Sequence, residues 1–476
     1  MSRHSRKKAG FQSAIQRVAK PESRKNASLR YDAAQTTPEN AAHWSQATPW
    51  NADMELSPAV RAKLRERARY ECMNNVWLQG MLHTQAQDLI GTGPRLQILS
   101  PANDEALQKA EAAFQEWSRL TRFARKLCIA RMTQSRDGEA FIILATNPSL
   151  PGVKLDTMLL DAERVTSPVT DSDTDDDNQA DGVYFDGLGN PVRYSVQRTH
   201  PSVSGGLGPS LTIPASMMVH LFRAERPEQH RGASELAAAL PLLSLLRRYT
   251  LAMVKKMETS ANISGVLRTT DFEPGEGDEL TPWKPFALPR DSFVALPRGY
   301  ELTQYNLQNP TETQQSFATQ VKCECARCLG LPRNVALGDS SGYNYASGRL
   351  DFQEYDKFLA LAREDLAVSC LDKILATWWA EYDPFTPVPA HSWHWDGRAH
   401  VDPVKEASAE TIRLTNKTLT LADACAAEGK DWLNVLRQRL KEEAEELRIR
   451  KELGLPPPAS AASPAESPAT KDTDEQ

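Results

Sequence analysis

Gly330-Leu331-Pro332, then Arg333–Leu337, then Gly338-Asp339-Ser340-Ser341-Gly342-Tyr343-Asn344-Tyr345-Ala346-Ser347-Gly348 is the stretch whose reading organises this chain. On its N-terminal side, Asn309-Pro310-Thr311-Glu312 reads as a helix start. Asn309 is the N-cap, Pro310 sits in the first turn and Glu312 reaches back. The helix Pro310–Leu329 then places Phe317, Val321, Cys325, Cys328 and Leu329 on one apolar face, and Gly330 closes it. On the other side Leu350–Tyr382 reads as one amphipathic helix, about 50 Å long at 1.5 Å per residue. Phe352, Tyr355, Leu359, Leu366, Cys370, Ile374 and Trp378 lie along its buried side, and Asp383-Pro384 stops it. A loop of small and hydroxyl residues between two strong helices is expected at an exposed edge, where loops carry function and the flanking elements set position. A helix this long suits a spoke in a large assembly better than a small-molecule enzyme.

The 476 residues fit one to three domains. Hydrophobic content of 40% and charged content of 25% are those of an ordinary folded protein. The formal net charge is −6. Sequence-independent grip on nucleic acid rests on phosphate neutralisation by a basic surface. A mildly acidic chain that meets DNA is therefore expected to guide a duplex, not clamp it. The seven cysteines are odd in number and scattered. Met1–Lys8 is basic with no apolar core, so reduced thiols in a cytosolic compartment are expected. The most apolar run, Leu236–Leu246, contains Pro241 and ends at Arg247-Arg248, and it reads as a core helix, not a membrane span.

Residues 1–30 form a basic, polar arm, most simply solvated, and Pro456–Gln476 is too poor in apolar surface to order itself. Between them, Ala59–Ile90 has helical spacing and stops at Gly91-Thr92-Gly93-Pro94. Asp104–Arg119 and Phe123–Ser135 read as the next helices. The period then changes: Glu139–Ala145, Val153–Leu160, and a hairpin of Gly182–Phe185 with Val192–Gln197 read as strands. Ser234 caps a short helix, and Pro241 opens a fresh one to about Ser260. The stretch Val266–Tyr305, rich in Pro and Gly with short strands such as Ser292–Leu296, reads as a small inserted module. Asp402-Pro403, Thr420 with Asp423, and Asp431–Leu453 mark three C-terminal helices. The run Lys441–Glu446 is read as a solvated face.

The chain contains no phosphate-loop, zinc-protease or nucleophile-elbow motif, and its nine His lack paired metal spacing. Cys323, Cys325 and Cys328 are expected to be small packing residues, because Cys323 and Cys325 diverge by about 200° on a helix. Asp171-x-Asp173-x-Asp175-Asp176-Asp177 lacks the Gly and Glu of a calcium loop and reads as a polar connection. Trp393-His394-Trp395 is read as core or interface packing. No cofactor or metal is expected, and no enzymatic activity.

Taken in order, a set of short motifs resembles the lambda-type bacteriophage portal proteins, the head-tail connector family. These are Tyr31-Asp32-Ala33-Ala34; Arg67-Ala68-Arg69 with Asn74-Asn75; Gly91-Thr92-Gly93; Asp137-Gly138-Glu139; Arg226–Gly232; Gly330-Leu331-Pro332; Gly338-Asp339 with Asn344-Tyr345-Ala346-Ser347; and Val401–Glu406. The resemblance spans about Tyr31 to Leu453. Cys323-Glu324-Cys325 and Thr270–Pro285 depart from the family pattern. The resemblance implies an α+β portal-type fold in a dodecameric ring, with double-stranded DNA packaged and ejected through the axial channel at the capsid vertex.

On that likeness residues 31–233 form a wing. Residues 234–262 and 310–330 form two stem helices around a clip at 263–309. A tunnel loop at 338–349 precedes the long wing helix 350–382, and 391–453 is a helical crown side. The duplex-facing residues are then Asp339, Ser340, Ser341, Tyr343, Asn344, Tyr345 and Ser347. The implied partners are the terminase large subunit docked on the clip, head-tail adaptor proteins after it, and the major capsid protein, with no membrane. The implied location is the virion, with assembly in the host cytoplasm. The rival readings are a metal-dependent nuclease using Asp173, Asp175 and Asp177, and a capsid assembly factor that forms no ring.

Overall fold

The computed structural model describes residues 34–99, 105–167, 178–204, 208–262, 266–269, 300–303, 312–397, 403–427, 430 and 432–456. The arm over 1–30, most of 263–309, the acidic run 171–177 and the tail beyond Pro456 lie outside them. The contacts divide the chain into two units, up to Asn51 and from Ala52. In the first, Thr37 N donates to Asn40 Oδ1 at 2.8 Å and Trp44 N to Asn40 O at 3.0 Å, which closes a turn.

The second unit mixes helices with four small antiparallel sheets among the described residues. The segment expected as one helix, Ala59–Ile90, is two: α1 (Pro58–Asn74) and α2 (Val76–Ile90). Asn75 breaks it. Its backbone is extended, and its side chain accepts from Trp77 N and Leu78 N, so it caps α2. Strand β1 (Arg95–Ile98), α3 (Glu105–Leu120), α4 (Phe123–Asp137), β2 (Glu139–Thr146) and β3 (Leu155–Leu160) follow. The strands β4 (Gln179–Ala180), β5 (Val183–Phe185), β6 (Pro191–Gln197) and β7 (Ser210–Pro214) form one meander. The expected β5–β6 hairpin is present, with Asp186 Oδ1 accepting from Leu188 N at 2.8 Å and Asn190 N at 2.9 Å. Strand β8 (Met218–Phe222) completes the order β3-β2-β8.

β2 is buried on both faces. Ala140, Ile142 and Leu144 enter the large helical core, and Phe141 enters a smaller core with Val183, Tyr194 and Val196. The period of 2 thus joins two cores through one strand. In the larger core Trp378 is fully buried edge-on to Phe114, with centroids 5.3 Å apart, and Trp117 Nε1 donates to Leu155 O at 2.7 Å.

Between β8 and the long helix α5 (Leu240–Asn262) the chain crosses a buried ionic node. Arg231, 0% exposed, binds Glu139 with both ends of its guanidinium, at 2.9 and 2.7 Å. Glu139 also accepts from Gly232 N at 3.2 Å, from Nε2–H of His220 at 3.0 Å, and from Arg65. Asp137 accepts from Arg69 at 2.7 Å and Arg136 at 2.8 Å, and Arg61 pairs with Asp181. The crossing is close: a Cβ on Gly232 would overlap the Gly138 carbonyl, and one on Gly138 (φ +95°) would lie 2.5 Å from Ala233 C. The short helix expected at Ser234 is a series of turns, because Glu235 N bonds Ser135 O across the crossing at 3.0 Å.

Short strands β9 (Val266–Thr269) and β10 (Tyr300–Thr303) pair with each other. They are followed by α6 (Glu312–Arg327), α7 (Arg333–Leu337) and α8 (Tyr345–Leu366). A π turn, Ala367–Leu371, joins α8 to α9 (Asp372–Tyr382). The long helix therefore begins five residues before Leu350 and is not uniform (Tyr345 against Leu350). Buried Leu366, Cys370, Ile374 and Trp378 are spaced by four, which on a regular helix would rotate Trp378 about 120° from Leu366. The wider π turn absorbs part of that drift and keeps the side chains on the core. Phe317, expected on the buried face of α6, is 54% exposed and meets Tyr249 edge-on. β11 (His391–His394) pairs with β1, and α10 (Pro403–Thr415), α11 (Leu421–Ala427) and α12 (Trp432–Glu452) end the described chain.

Burial alone would raise the Glu139 pKa, but the Arg231 charge and the bonds from His220 and Arg231 hold it well below the usual carboxylate range. A depressed carboxylate contributes stability that is present above its unfolded value and lost as pH falls through the folded value. Burial lowers His220, so its neutral form is favoured and acid acts in the same direction. Glu139→Gln leaves Arg231 and Arg65 uncompensated and is expected to cost about 3–5 kcal/mol. Denaturant unfolding measures this, and the variant's acid limb below pH 4.5, the ordinary Glu value, should be flatter than that of the parent.

Candidate functional site

Two anchored segments define the loop that the sequence singles out. Leu329 and Leu331 are buried on either side of Gly330, whose φ is +71°. Buried Gln85, on α2, donates from Nε2 to Leu329 O at 2.8 Å and accepts at Oε1 from Ser135 Oγ at 2.8 Å. α7 buries Asn334 and Ala336 and ends at Gly338, also left-handed. On the far side α8 clamps the C-terminal end of α2. Arg363 donates from Nε to Leu89 O and from Nη2 to Asp88 O, both at 3.0 Å, and Tyr355 OH donates to Asp88 Oδ2 at 3.0 Å. A guanidinium on the last carbonyls of a helix satisfies orphan acceptors and opposes the negative end of the helix dipole.

Between these anchors the chain turns in solvent. Asp339 Oδ1 accepts from Ser341 N at 2.9 Å, a tight local turn. Hydrogen bonds from the Ser341 side chain and backbone hold the Asp339 carboxyl below its usual range, so it stays ionised. Tyr343 N bonds Ser340 O at 3.2 Å, and Tyr343 OH donates to Asp351 Oδ2 at 2.9 Å. Burial, and then Asp351, raise the Tyr343 phenol, which keeps it a neutral donor. Asn344 and Ser347 form a reciprocal capping box: Ser347 N donates to Asn344 Oδ1 at 2.8 Å and Asn344 N to Ser347 Oγ at 3.1 Å.

Of the residues named from the sequence, Asp339, Ser340, Ser341 and Tyr343 share the irregular loop. Asn344 is the cap, and Tyr345 and Ser347 belong to the first turn of α8, so the expected loop 338–349 is loop only to Asn344. The reason is the capping box, which starts the helix as soon as a donor and acceptor three residues apart can satisfy each other. Tyr345 is 49% and Leu350 63% exposed. Sequence reading missed Gln85, Arg363 and Asp351. Gln85 and Arg363 act across 244 and 274 positions with no local signal, whereas Asp351 lies only 8 positions from Tyr343.

Other expected features lie elsewhere. Cys325 is buried in the core, which pushes its thiol up to about 11, and Cys323 and Cys328 are half-buried. Trp393 packs near Phe114 and donates to Asp372 at 2.8 Å, and Trp395 lies under the Arg363 guanidinium at 5.3 Å. Among the described residues no helix is long and apolar enough to cross a membrane.

The sequence matches the phage portal protein, lambda family, over residues 37–363. The chain belongs to that family, and it is a phage portal protein: a head-tail connector of the capsid vertex, through which DNA is packaged and ejected. Three solved structures are similar at low identity. One is the neck of a native GTA particle computed with C12 symmetry (14% identity, 79% of this chain and 94% of that one, TM-score 0.44). Another is the virion of a native gene transfer agent particle (13%, 77% and 92%, TM-score 0.42). The third is the neck of an empty GTA particle computed with C6 symmetry (15%, 75% and 90%, TM-score 0.45). No curated protein matches the chain.

Replacing Asn344 by Ala removes the half of the capping box in which its side chain accepts from Ser347 N and is expected to cost about 1 kcal/mol of helix-end stability. Hydrogen exchange should show the loss locally, as faster exchange at the amides of Tyr345–Ser347 with the amides of α9 unchanged.

Proposed function

We propose that twelve copies of this chain close into a ring and that the loop after Gly338 lines its channel, facing the duplex. On this reading residues 31–233 are the wing, 234–262 and 310–330 the stem helices, 263–309 the clip, 350–382 the wing helix and 391–453 the crown side. The terminase large subunit docks on the clip, and head-tail adaptor proteins follow it there. The major capsid protein surrounds the ring, and assembly takes place in the host cytoplasm before the ring becomes part of the virion. The role is mechanical, with no catalytic step.

The observation that carries the loop assignment is its combination of exposure, anchoring and charge. The irregular part of the loop, Gly338–Asn344, contains one acid and no base, and the tunnel loop 338–349 adds one base, the exposed Arg349, only at its helical end. Each Lys or Arg set against the backbone would add a phosphate contact and a counterion-release gain, and a loop that holds phosphates would brake a moving strand. Ionised Asp339, neutral Tyr343 and the serine hydroxyls touch a polyanion without gripping it. The anchors at Gln85 and Arg363 hold the loop's two ends on the core, so a load on the tip is passed to α2 and the hydrophobic core.

Replacing Tyr343-Asn344-Tyr345 by three glycines tests the assignment. Ring assembly, read by native mass, is expected to persist, while DNA packaged or retained per particle falls. Lost assembly with unchanged DNA handling in the assembled fraction would place these residues at a subunit contact and not in the channel.

A further inference from the structure

Two exposed helix faces stand out among the described residues, and they are complementary. On α8 and the π turn that continues it, Leu350, Glu354, Lys357, Leu361, Glu364 and Val368 recur at alternating steps of four and three, the spacing of a helix-packing seam. All six point to solvent, with Leu350 at 63%, Leu361 at 74% and Val368 at 65% exposure. Asp365 flanks the stripe, so its charges sum to net acidic. The opposite side of α8 is committed to the core through Tyr355, Leu359 and Leu366.

On α5 the buried side is Leu243 and Leu246. Its outer side carries Leu245, Arg248, Leu251, Lys255 and Lys256, all exposed, with both leucines above half. Exposed Glu258 lies on the same side, seven residues after Leu251, and the face is apolar with a net basic charge. α5 packs on α1 and α6, and α8 packs on α2.

We infer that the outer face of α5 on one copy of this chain packs against the outer face of α8 on the next. The inference deepens the ring reading and rests on it. The charges choose the partner. An isologous dimer through either face would set like charges against each other, basic on basic or acidic on acidic. Pairing the α5 face with the α8 face places Arg248, Lys255 and Lys256 against Glu354, Glu364 and Asp365, with leucines between them. Because the two faces differ, each added copy leaves one of each face open. Such a head-to-tail contact propagates until it closes into a ring. It also covers apolar surface that a lone subunit would leave in water.

The test is a charge reversal and its compensation on the full chain, read by sedimentation and native mass over a concentration series. Lys255→Glu with Lys256→Glu should raise the subunit concentration needed for half-assembly by roughly tenfold or more, and Glu364→Lys with Asp365→Lys in the same chain should restore it. Far-ultraviolet circular dichroism on each variant separates misfolding from lost association, and Arg248→Glu provides a second, milder lesion on the same face. Rings that assemble like the parent in every variant overturn this interface and leave the ring reading standing. A lesion that the compensating pair does not rescue also overturns it, and so does a parent protein that stops at a closed dimer. A parent that stays a lone subunit at every concentration overturns the ring reading itself.

Discussion

The contact between Glu139 and Arg231 gathers α1, β2, β8 and the approach to α5 at one point. Glu139 opens β2, the strand that divides the two cores, and Arg231 stands at the approach to α5. Arg65 and Arg69 bring α1 to the same point, and His220 brings β8. A buried ion pair of this kind adds little stability over a well-packed apolar substitute, because desolvation of both charges offsets their attraction. What it does add is geometry. A bidentate guanidinium–carboxylate pair has one orientation, whereas an apolar patch tolerates sliding. The two glycines at the crossing serve the same end, since only bare backbone lets the 138 and 232 segments approach so closely. From there Arg131 binds Glu235 at 2.9 Å, so the direction of α5 is set by the node.

A second set of polar contacts carries this rigidity to the loop. Gln85 bridges Ser135, one turn before the node, and Leu329, just ahead of Gly330. Arg363 and Tyr355 tie α8 to the end of the same helix. α2 is therefore a common base for both ends of the exposed loop. Burial of Leu329 and Leu331 holds the backbone there, and the tip owes its shape to local turns alone.

Much of this could be read from the chain, and the missing parts share a cause. Helices with strong periodicity and a clear stop, such as Phe123 onward to Gly138, are written locally. So is the β5–β6 hairpin, whose Asp186 and Asn190 carry their own turn chemistry. The break at Asn75 was hidden because apolar spacing continues across it and only a side-chain cap marks the change. The π turn was hidden because steps of four look helical until the rotation is summed over several turns. Strands β1, β8 and β11 are short, and each becomes a strand only by pairing with a distant segment. The motifs Arg67-Ala68-Arg69, Asp137-Gly138-Glu139 and Arg226–Gly232 were each visible, but nothing in a linear string says that Arg231 meets Glu139 across 92 positions. In the loop, residue types and exposure were legible, and the anchors, equally remote, were not.

The placement of charge follows one physical division. Arg61, Arg65, Arg69, Arg131, Arg231 and Arg363 turn inward, onto Glu139, Asp137, Asp181, Glu235 and the end of α2. Buried there, they meet carboxylates and carbonyls in fixed geometry and are lost to any passing phosphate. The loop, by contrast, exposes a carboxylate, hydroxyls and amides, groups that exchange hydrogen bonds with water at little cost. A fixed polyanion would favour the opposite arrangement, with the arginines outside, because its affinity comes from neutralised phosphates. A moving one needs a wall that resists load while offering no deep electrostatic well along the path. On the proposed placement of the loop in the channel, rigidity from buried ion pairs and a weakly interacting exposed tip are two halves of one requirement, and the loop after Gly338 would supply the second half on a base provided by the first.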